Sequence, residues 1–274
     1  MITLFLISVG VVCGITTALA VLMVVADATI ASYGECRITI NDEKEITVDG
    51  GRSLLSTLKD EQVFIPSACG GRGSCGLCKL RITEGAGDPL PTEQPWLSPD
   101  EVKDHVRLSC QVKVKGDLRI WVPEELFNVR QYTTEVIAIR DLTHDIKELR
   151  LKLLEPATMK YQAGQFIQIE VPEFELTDEP VYRAYSMSSD PACPNEIELE
   201  IRYVPNGICT TYVHQHLNVG DRLTVNGPYG DFHLRDTERD IICIAGGSGM
   251  APIKSILHHM VNTNNARRTM YFFG

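Results

Sequence analysis

The chain has 274 residues, 44% of them hydrophobic and 23% charged. That is more than one ordinary domain and fewer than three full ones, with the composition of a globular rather than a disordered protein. A formal charge of −10 weighs against nucleic acid as a partner.

Ile2 to Ala26 is a run of 25 residues without a charge. As a helix it would be roughly 37 Å long against about 30 Å of hydrocarbon, so it can span a bilayer with some tilt. A signal peptide is the rival reading. It needs a positive n-region, and no Lys or Arg occurs before Arg37. No ionisable residue lies inside the span, so the segment is an anchor or a packing element rather than an ion pathway. Gly10 and Gly14 form a small-xxx-small pair that would suit helix packing, and lipid-facing placement accounts for them equally. Arg37 and Lys44 follow the span, which favours the remainder on the cytoplasmic side.

Cys36-Arg-Ile-Thr-Ile and Glu45-Ile-Thr-Val alternate apolar and polar positions, which predicts two strands around a turn at Asn41-Asp42. Leu54, Leu55 and Leu58 stand at helical spacing behind the possible cap Ser53. A Gly-rich cysteine loop follows, then a strand at Lys79–Ile82. Gly85–Pro99 reads as a long surface loop, and Leu118–Val122 closes the first soluble module. From Tyr132 the pattern is mostly strands: Thr133–Ile139, Ile146–Leu154, Gln165–Val171, Ala184–Ser188, Ile197–Tyr203 and Arg222–Val225. That spacing predicts a barrel, with one helix at Thr210–Leu217. Ile241–Ala245 and Thr269–Phe273 read as buried strands flanking a Gly-rich turn and a helix from Pro252 to Met260. This is the start of a parallel βαβ unit. Two strands are too few for a doubly wound sheet, which predicts that the chain stops inside its third module.

Nine cysteines, odd in number and unevenly spaced, do not form a secreted disulfide framework. Cys69-Gly-Gly-Arg-Gly-Ser-Cys75-Gly-Leu-Cys78 gathers three thiols in one loop, and Cys110 lies 31 intervening residues beyond Cys78. Thiolates are soft ligands that suit iron–sulfur clusters, and the spacing is one residue longer in its first gap than the plant-type C-x4-C-x2-C pattern. Gly70, Gly71, Gly73 and Gly76 let the backbone bend around such a cluster and point amides at its sulfurs. A structural zinc site is the alternative, although zinc usually pairs two CxxC-like knuckles. Such thiols must stay reduced, which again favours the cytoplasm.

Three further motifs follow in order. Arg183-Ala-Tyr185-Ser186 offers a guanidinium for a phosphate and an aromatic ring for a flat cofactor. Asn206-Gly207-Ile-Cys-Thr210-Thr211 precedes a helix. Gly246-Gly247-Ser-Gly249-Met-Ala-Pro252 follows a strand and opens a helix, the context a nucleotide-binding loop requires. His214, His216, His258, His259, Cys209 and Cys243 are assigned no function.

On these residues, 34–125 resembles a plant-type [2Fe–2S] ferredoxin of β-grasp fold with Cys69, Cys75, Cys78 and Cys110 as ligands. The later motifs resemble those of the ferredoxin–NADP reductase family. That resemblance implies that Arg183 pairs with the FAD pyrophosphate, Tyr185 stacks on the isoalloxazine and Ser186 meets flavin N5, the last two serving catalysis. It also implies that Gly207 and Thr210 bind flavin, and that Gly246, Gly247 and Gly249 meet NADH. The order of modules is similar to that of the F subunits of the Na⁺-translocating NADH:quinone reductases, bacterial inner-membrane complexes. The expected architecture is therefore multidomain: a transmembrane helix (2–26), an α+β ferredoxin (34–125), an all-β FAD-binding barrel (129–236) and the start of an α/β NADH-binding domain (240–274). The implied activity takes a hydride from NADH to FAD, then single electrons to [2Fe–2S], to partner membrane subunits and finally to ubiquinone, coupled to Na⁺ transport. The implied location is the bacterial inner membrane, single-pass, with the soluble modules in the cytoplasm. The alternative is a membrane-tethered NADH-dependent reductase component of an oxygenase.

Overall fold

The computed structural model describes the backbone of residues 2–30 and 33–274. It opens with a helix, α1 (Ile2–Ile30). The described side chains of α1, Ile7 and residues 9–24, are exposed. Residues 2–6, 8, 25 and 26 of the expected span lie outside the described side chains. Among the described residues no helix is long and apolar enough to cross a membrane.

The first unit after α1 contains β1 (Glu35–Ile40), β2 (Lys44–Asp49), α2 (Leu54–Asp60), β3 (Lys79–Glu84), α3 (Pro99–Lys103), β4 (Val106–Leu108) and β5 (Leu118–Trp121). The sheet order is β2-β1-β5-β3-β4, with β1 and β5 parallel and the other pairs antiparallel. Asn41 and Asp42 turn the first hairpin at φ of 53° and 60°, a left-handed conformation that these two residue types tolerate. Ser53 caps α2 as expected, its hydroxyl accepting from Ser56 N. Leu54 and Leu58 drop into a core with Ile38, Leu80, Leu108 and Ile120, each fully buried side chain stabilising the fold by about 1.5–3 kcal/mol.

The expected loop Gly85–Pro99 ends where α3 begins. Ser98 and Glu101 form a capping box across the first turn of α3. A buried ion pair pins the loop to the sheet. Glu93 accepts from Arg107 Nε at 3.0 Å and from the amides of Leu90 and Leu108 at 2.8 Å, while Arg107 Nη1 donates to the carbonyls of Ala86 and Gly87.

The second unit is a curled six-stranded sheet of β6 (Arg130–Asp141), β7 (Ile146–Glu155), β8 (Phe166–Val171), β9 (Val181–Ser186), β10 (Glu196–Arg202) and β11 (Arg222–Tyr229), in the order β10-β7-β6-β11-β8-β9. An antiparallel bridge from Met187 to Leu199 brings the two edges together, giving the barrel expected from strand spacing. Alternate residues, such as Leu149, Leu151, Leu199 and Ile201, fill its interior. The expected helix starts as α4 (Ile208–Thr211) and continues as a wider π-type turn over Tyr212–His216.

The last unit is β12 (Ile241–Ala245), α5 (Met250–Asn262) and β13 (Thr269–Phe273), with β12 and β13 parallel. The expectation that both strands are buried does not hold. Cys243 faces inward, but Ile244 is 77% exposed and Phe273 61%. A strand shows alternate residues to opposite faces. Helix α5 covers one face, and among the described residues no second layer covers the other.

Candidate functional site

The loop between α2 and β3 carries Cys69, Cys75 and Cys78. All four of its glycines adopt positive φ, from 66° at Gly70 to 86° at Gly71. Side chains at these positions would be strained, and this is how the chain folds back on itself around the thiols. Ser67 Oγ braces the turn by accepting from Gly71 N at 2.9 Å. Cys110 is brought to the loop by Ser109, whose amide and hydroxyl both donate to the Cys78 carbonyl, at 2.8 and 3.0 Å.

The thiols perturb one another: Cys75 acts on Cys69, and Cys78 and Cys110 act on each other. Burial pushes the Cys69 thiol up, but hydrogen bonds from the Ser74 backbone, Cys75 and the Ser74 side chain outweigh it and bring it to about 6. The bond with Cys78 draws Cys110 down to about 7 against burial, and the same bond together with burial raises Cys78. Among the described residues no three His, Cys, Asp or Glu side chains converge as a single-ion site. A zinc ion needs its ligands around one point, whereas a two-iron cluster takes two thiolates at each end. Four thiols that influence one another without converging on one point fit the latter.

On β9, Arg183 and Tyr185 stand opposite Ile169 and Ile167 of β8, while Tyr182 stands opposite Glu170 and Ser186 opposite Phe166. Cross-strand partners share a face, so Arg183 and Tyr185 project together. Arg183 Nη1 donates to the Tyr182 carbonyl at 2.7 Å. Burial, then the charge of Arg72, disfavours the protonated Arg183 guanidinium. Arg72 belongs to the cysteine loop, and two neighbouring cations favour an anion such as a pyrophosphate near them. Tyr185 lies beside Cys209, and burial raises both, the Cys209 thiol to about 11.

Gly207 precedes α4 and is closely packed, since a Cβ there would press on Thr210 Oγ1 and, at 3.0 Å, on the Val204 carbonyl. The Thr210 hydroxyl is spent inside this loop, accepting from Val204 N at 3.2 Å and lying 3.1 Å from Val204 O. The neighbouring Thr211 hydroxyl is buried without a partner. Buried hydroxyls are rarely left unpaired, which makes Thr211 a candidate beside the expected Thr210.

The Gly-rich turn runs from Gly246 through a single 3₁₀ turn, Gly247–Gly249, into α5. Gly247 has φ of 54°, and a Cβ at Gly249 would meet nothing within 4 Å, leaving the turn open on that side. Lys254, on the next turn of α5, reaches onto the outer face of the barrel. It pairs with Glu198 and lies 3.6 and 3.8 Å from carboxylate oxygens of Glu148 and Glu200. Among the expected site residues, the four cysteines come together, Arg183 and Tyr185 share a face, and the Gly246 turn stands apart on the third unit.

Curated relatives extend over nearly the whole chain. The F subunit of the Na(+)-translocating NADH-quinone reductase of Neisseria meningitidis serogroup B (strain MC58) is 37% identical over 296 residues, covering 95% of this chain and 73% of the relative. The chain belongs to this F-subunit family. The Serratia proteamaculans member is 35% identical over 297 residues with the same coverage. Residues 38–115 match the 2Fe-2S iron-sulfur cluster binding domain, and 133–234 match the oxidoreductase FAD-binding domain. The first match contains all four cysteines. The second contains Arg183, Tyr185, Ser186, Gly207 and Thr210, whereas the Gly246 turn lies outside both. Among solved structures, cytochrome P450 reductase GcoB of Amycolatopsis is similar at 26% identity and a TM-score of 0.65, covering 87% of this chain and 72% of that one. The ferredoxin reductase of carbazole 1,9a-dioxygenase is similar at 29% and 0.61, covering 88% and 72%. This member of the family is thus an oxidoreductase component with a [2Fe–2S] domain and an FAD domain.

Proposed function

We propose that this chain is the electron-entry component of a membrane NADH:quinone reductase, holding FAD and a [2Fe–2S] cluster on adjoining modules. FAD accepts a hydride and the cluster carries single electrons, so together they join a two-electron donor to one-electron acceptors. Cys69 and Cys75 would hold one iron, Cys78 and Cys110 the other. Arg183, with the charge of Arg72 near it, would bind the FAD pyrophosphate, Tyr185 would cover the flavin ring and Ser186 would lie at its reactive edge. Thr211, whose buried hydroxyl lacks a partner, would supply a hydrogen bond beside the expected Thr210. Gly246, Gly247 and Gly249 would admit the NADH phosphates to the start of α5. The observation that carries this reading is the contact of the cysteine loop with the flavin strand: a Cβ at Gly70 would overlap the Arg183 guanidinium.

The names of the relatives support delivery to a quinone through partner proteins and coupling to Na⁺. Residues 2–26, uncharged throughout, support an anchor in the bacterial inner membrane. The reductases of P450 and dioxygenase systems share the soluble modules at lower identity. They keep a tethered oxygenase reductase as the second reading.

Cofactor stoichiometry tests the ligand assignment. The reconstituted chain is expected to hold two irons and two sulfides for each FAD, and Cys75→Ala is expected to lose the iron and keep the flavin. One tightly held zinc, or iron retained in Cys75→Ala, would refute it.

A further inference from the structure

The ferredoxin module meets the flavin barrel at α2 and the cysteine loop, and two contacts there belong to neither module's core. The Lys59 ammonium stands 3.7 Å from the centroid of the Tyr182 ring, well within reach of a cation–π attraction. The cysteine loop approaches β9 so closely that a Cβ at Gly70 would touch the Tyr182 carbonyl at 3.0 Å. Tyr182 is therefore gripped from both sides, by its ring and by its backbone.

Phe64, Val129 and Tyr229 form one small buried cluster where the modules meet, and beside it the interface is open. A cavity of about 350 Å³ lies between the modules, lined by Lys59, Gly70, Gln168, Tyr182, Asn226 and Tyr229 among others. Gln168 Nε2 and the Tyr182 hydroxyl, both buried, have no hydrogen-bond partner. The hydroxyl faces Glu170 without reaching bonding geometry, and burial raises its pKa. With a cavity beside only one small apolar cluster, close packing holds the modules less firmly than a filled interface would, so the tight contacts at the rim help set their relative position.

Helix α2 also belongs to the cluster site. Leu55 N donates to the Ser109 carbonyl at 3.1 Å, and Leu55 packs toward Gly71. Whatever fixes α2 against the barrel fixes the thiols with it. We propose that Lys59 and Tyr182 are positioning residues whose cation–π contact, beside the close approach at Gly70, holds the cysteine loop against the flavin-binding strand. The proposal rests on the reading that electrons pass between the two centres. Tyr182 meets Arg183 through its backbone carbonyl, which the side-chain substitutions below retain; the two side chains act through the placement of α2 and β9.

The test uses the full chain loaded with both cofactors, comparing Lys59→Met with Lys59→Arg and Tyr182→Leu with Tyr182→Phe. Hydroxyl-radical footprinting of Phe64 and Tyr229, buried where the modules meet, reads docking and can be repeated on the cofactor-free chain. Photoreduction of the flavin, with the cluster followed optically, reads electron passage without using the NADH site. In Lys59→Met and Tyr182→Leu, oxidation of Phe64 and Tyr229 is expected to rise, and cluster reduction to slow, by about tenfold. The double variant is expected to add little, because both changes remove one contact. Lys59→Arg keeps a cation and Tyr182→Phe keeps a ring, so both are expected to behave as the unsubstituted chain. Unchanged footprints, or loosened footprints with an unchanged rate, would overturn the proposal. An unsubstituted chain whose reduced flavin never reduces the cluster would remove the electron-path reading instead, and this proposal with it.

Discussion

Arg107 and Glu93 show how a single pair can hold a cofactor module together. Both are almost fully buried, at 3% and 0% exposure. Every guanidinium nitrogen finds an acceptor, and the carboxylate also takes two backbone amides. Arg107→Met leaves that carboxylate unpaired in the core and is expected to cost about 3–5 kcal/mol in urea unfolding. Burial alone would raise the Glu93 pKa, but Arg107 and the amides of Leu90 and Leu108 bring it below its usual value. A depressed carboxylate stabilises the fold above its unfolded pKa, and that contribution fades as pH falls through the folded value. The unsubstituted module is therefore expected to lose stability in acid more steeply than Arg107→Met. Equal stability and equal acid slopes would contradict this. Neither residue stands out in the sequence, because 13 intervening residues separate them. The cysteines, Arg183 and Tyr185 were legible because their chemistry is local and their spacing distinctive. Arg72, Thr211, Lys59 and Tyr182 were not, since their roles depend on which atoms are left unpaired or which module lies opposite.

At the scale of elements, most strands were readable from alternation, and their ends shifted by only a few residues. The three-residue β4 is too short for any periodic signal. Helix α3 could have been read, since Ser98-Pro-Asp-Glu101 spells out a capping box. The exposed faces of β12 and β13 were misjudged because an apolar run does not say which layers cover it. Helix α5 meets the barrel through Ile256 and Met260, which pack with Ala163, and through Lys254, which sits among three carboxylates that face outward from β7 and β10. Burial lowers the Lys254 pKa, but its bond to Glu198 and the charges of Glu198, Glu148 and Glu200 raise it overall. A raised lysine stabilises this contact at every pH below its unfolded value and releases it only as pH climbs through the folded one. Lys254→Met, by contrast, is expected to weaken the docking of α5 at neutral pH by about 2–5 kcal/mol. Lys254→Arg is expected to retain it. Proteolysis of the segment between Tyr229 and Ile241 reads this directly, and equal cleavage of Lys254→Met and the unsubstituted chain would contradict it.

Over the whole molecule, the order of the modules runs from helix α1 to the Gly246 turn, and the ferredoxin touches the barrel at the strand that carries Arg183. The anchor is testable by itself. The chain is expected to stay with membranes through an alkaline carbonate wash, and a variant lacking residues 2–30 is expected to be released with its FAD bound. An intact chain released by the wash would remove the anchor reading. The central claim is that electrons from NADH reach the cluster only by way of the flavin bound at Arg183. Electron paramagnetic resonance of the chain and of Arg183→Ala, each treated with NADH and separately with dithionite, tests it most directly. The expected result is a reduced-cluster signal from NADH in the unsubstituted chain alone, with dithionite producing the signal in both. A cluster reduced by NADH equally well in Arg183→Ala, or one that only dithionite reduces in the unsubstituted chain, would contradict it.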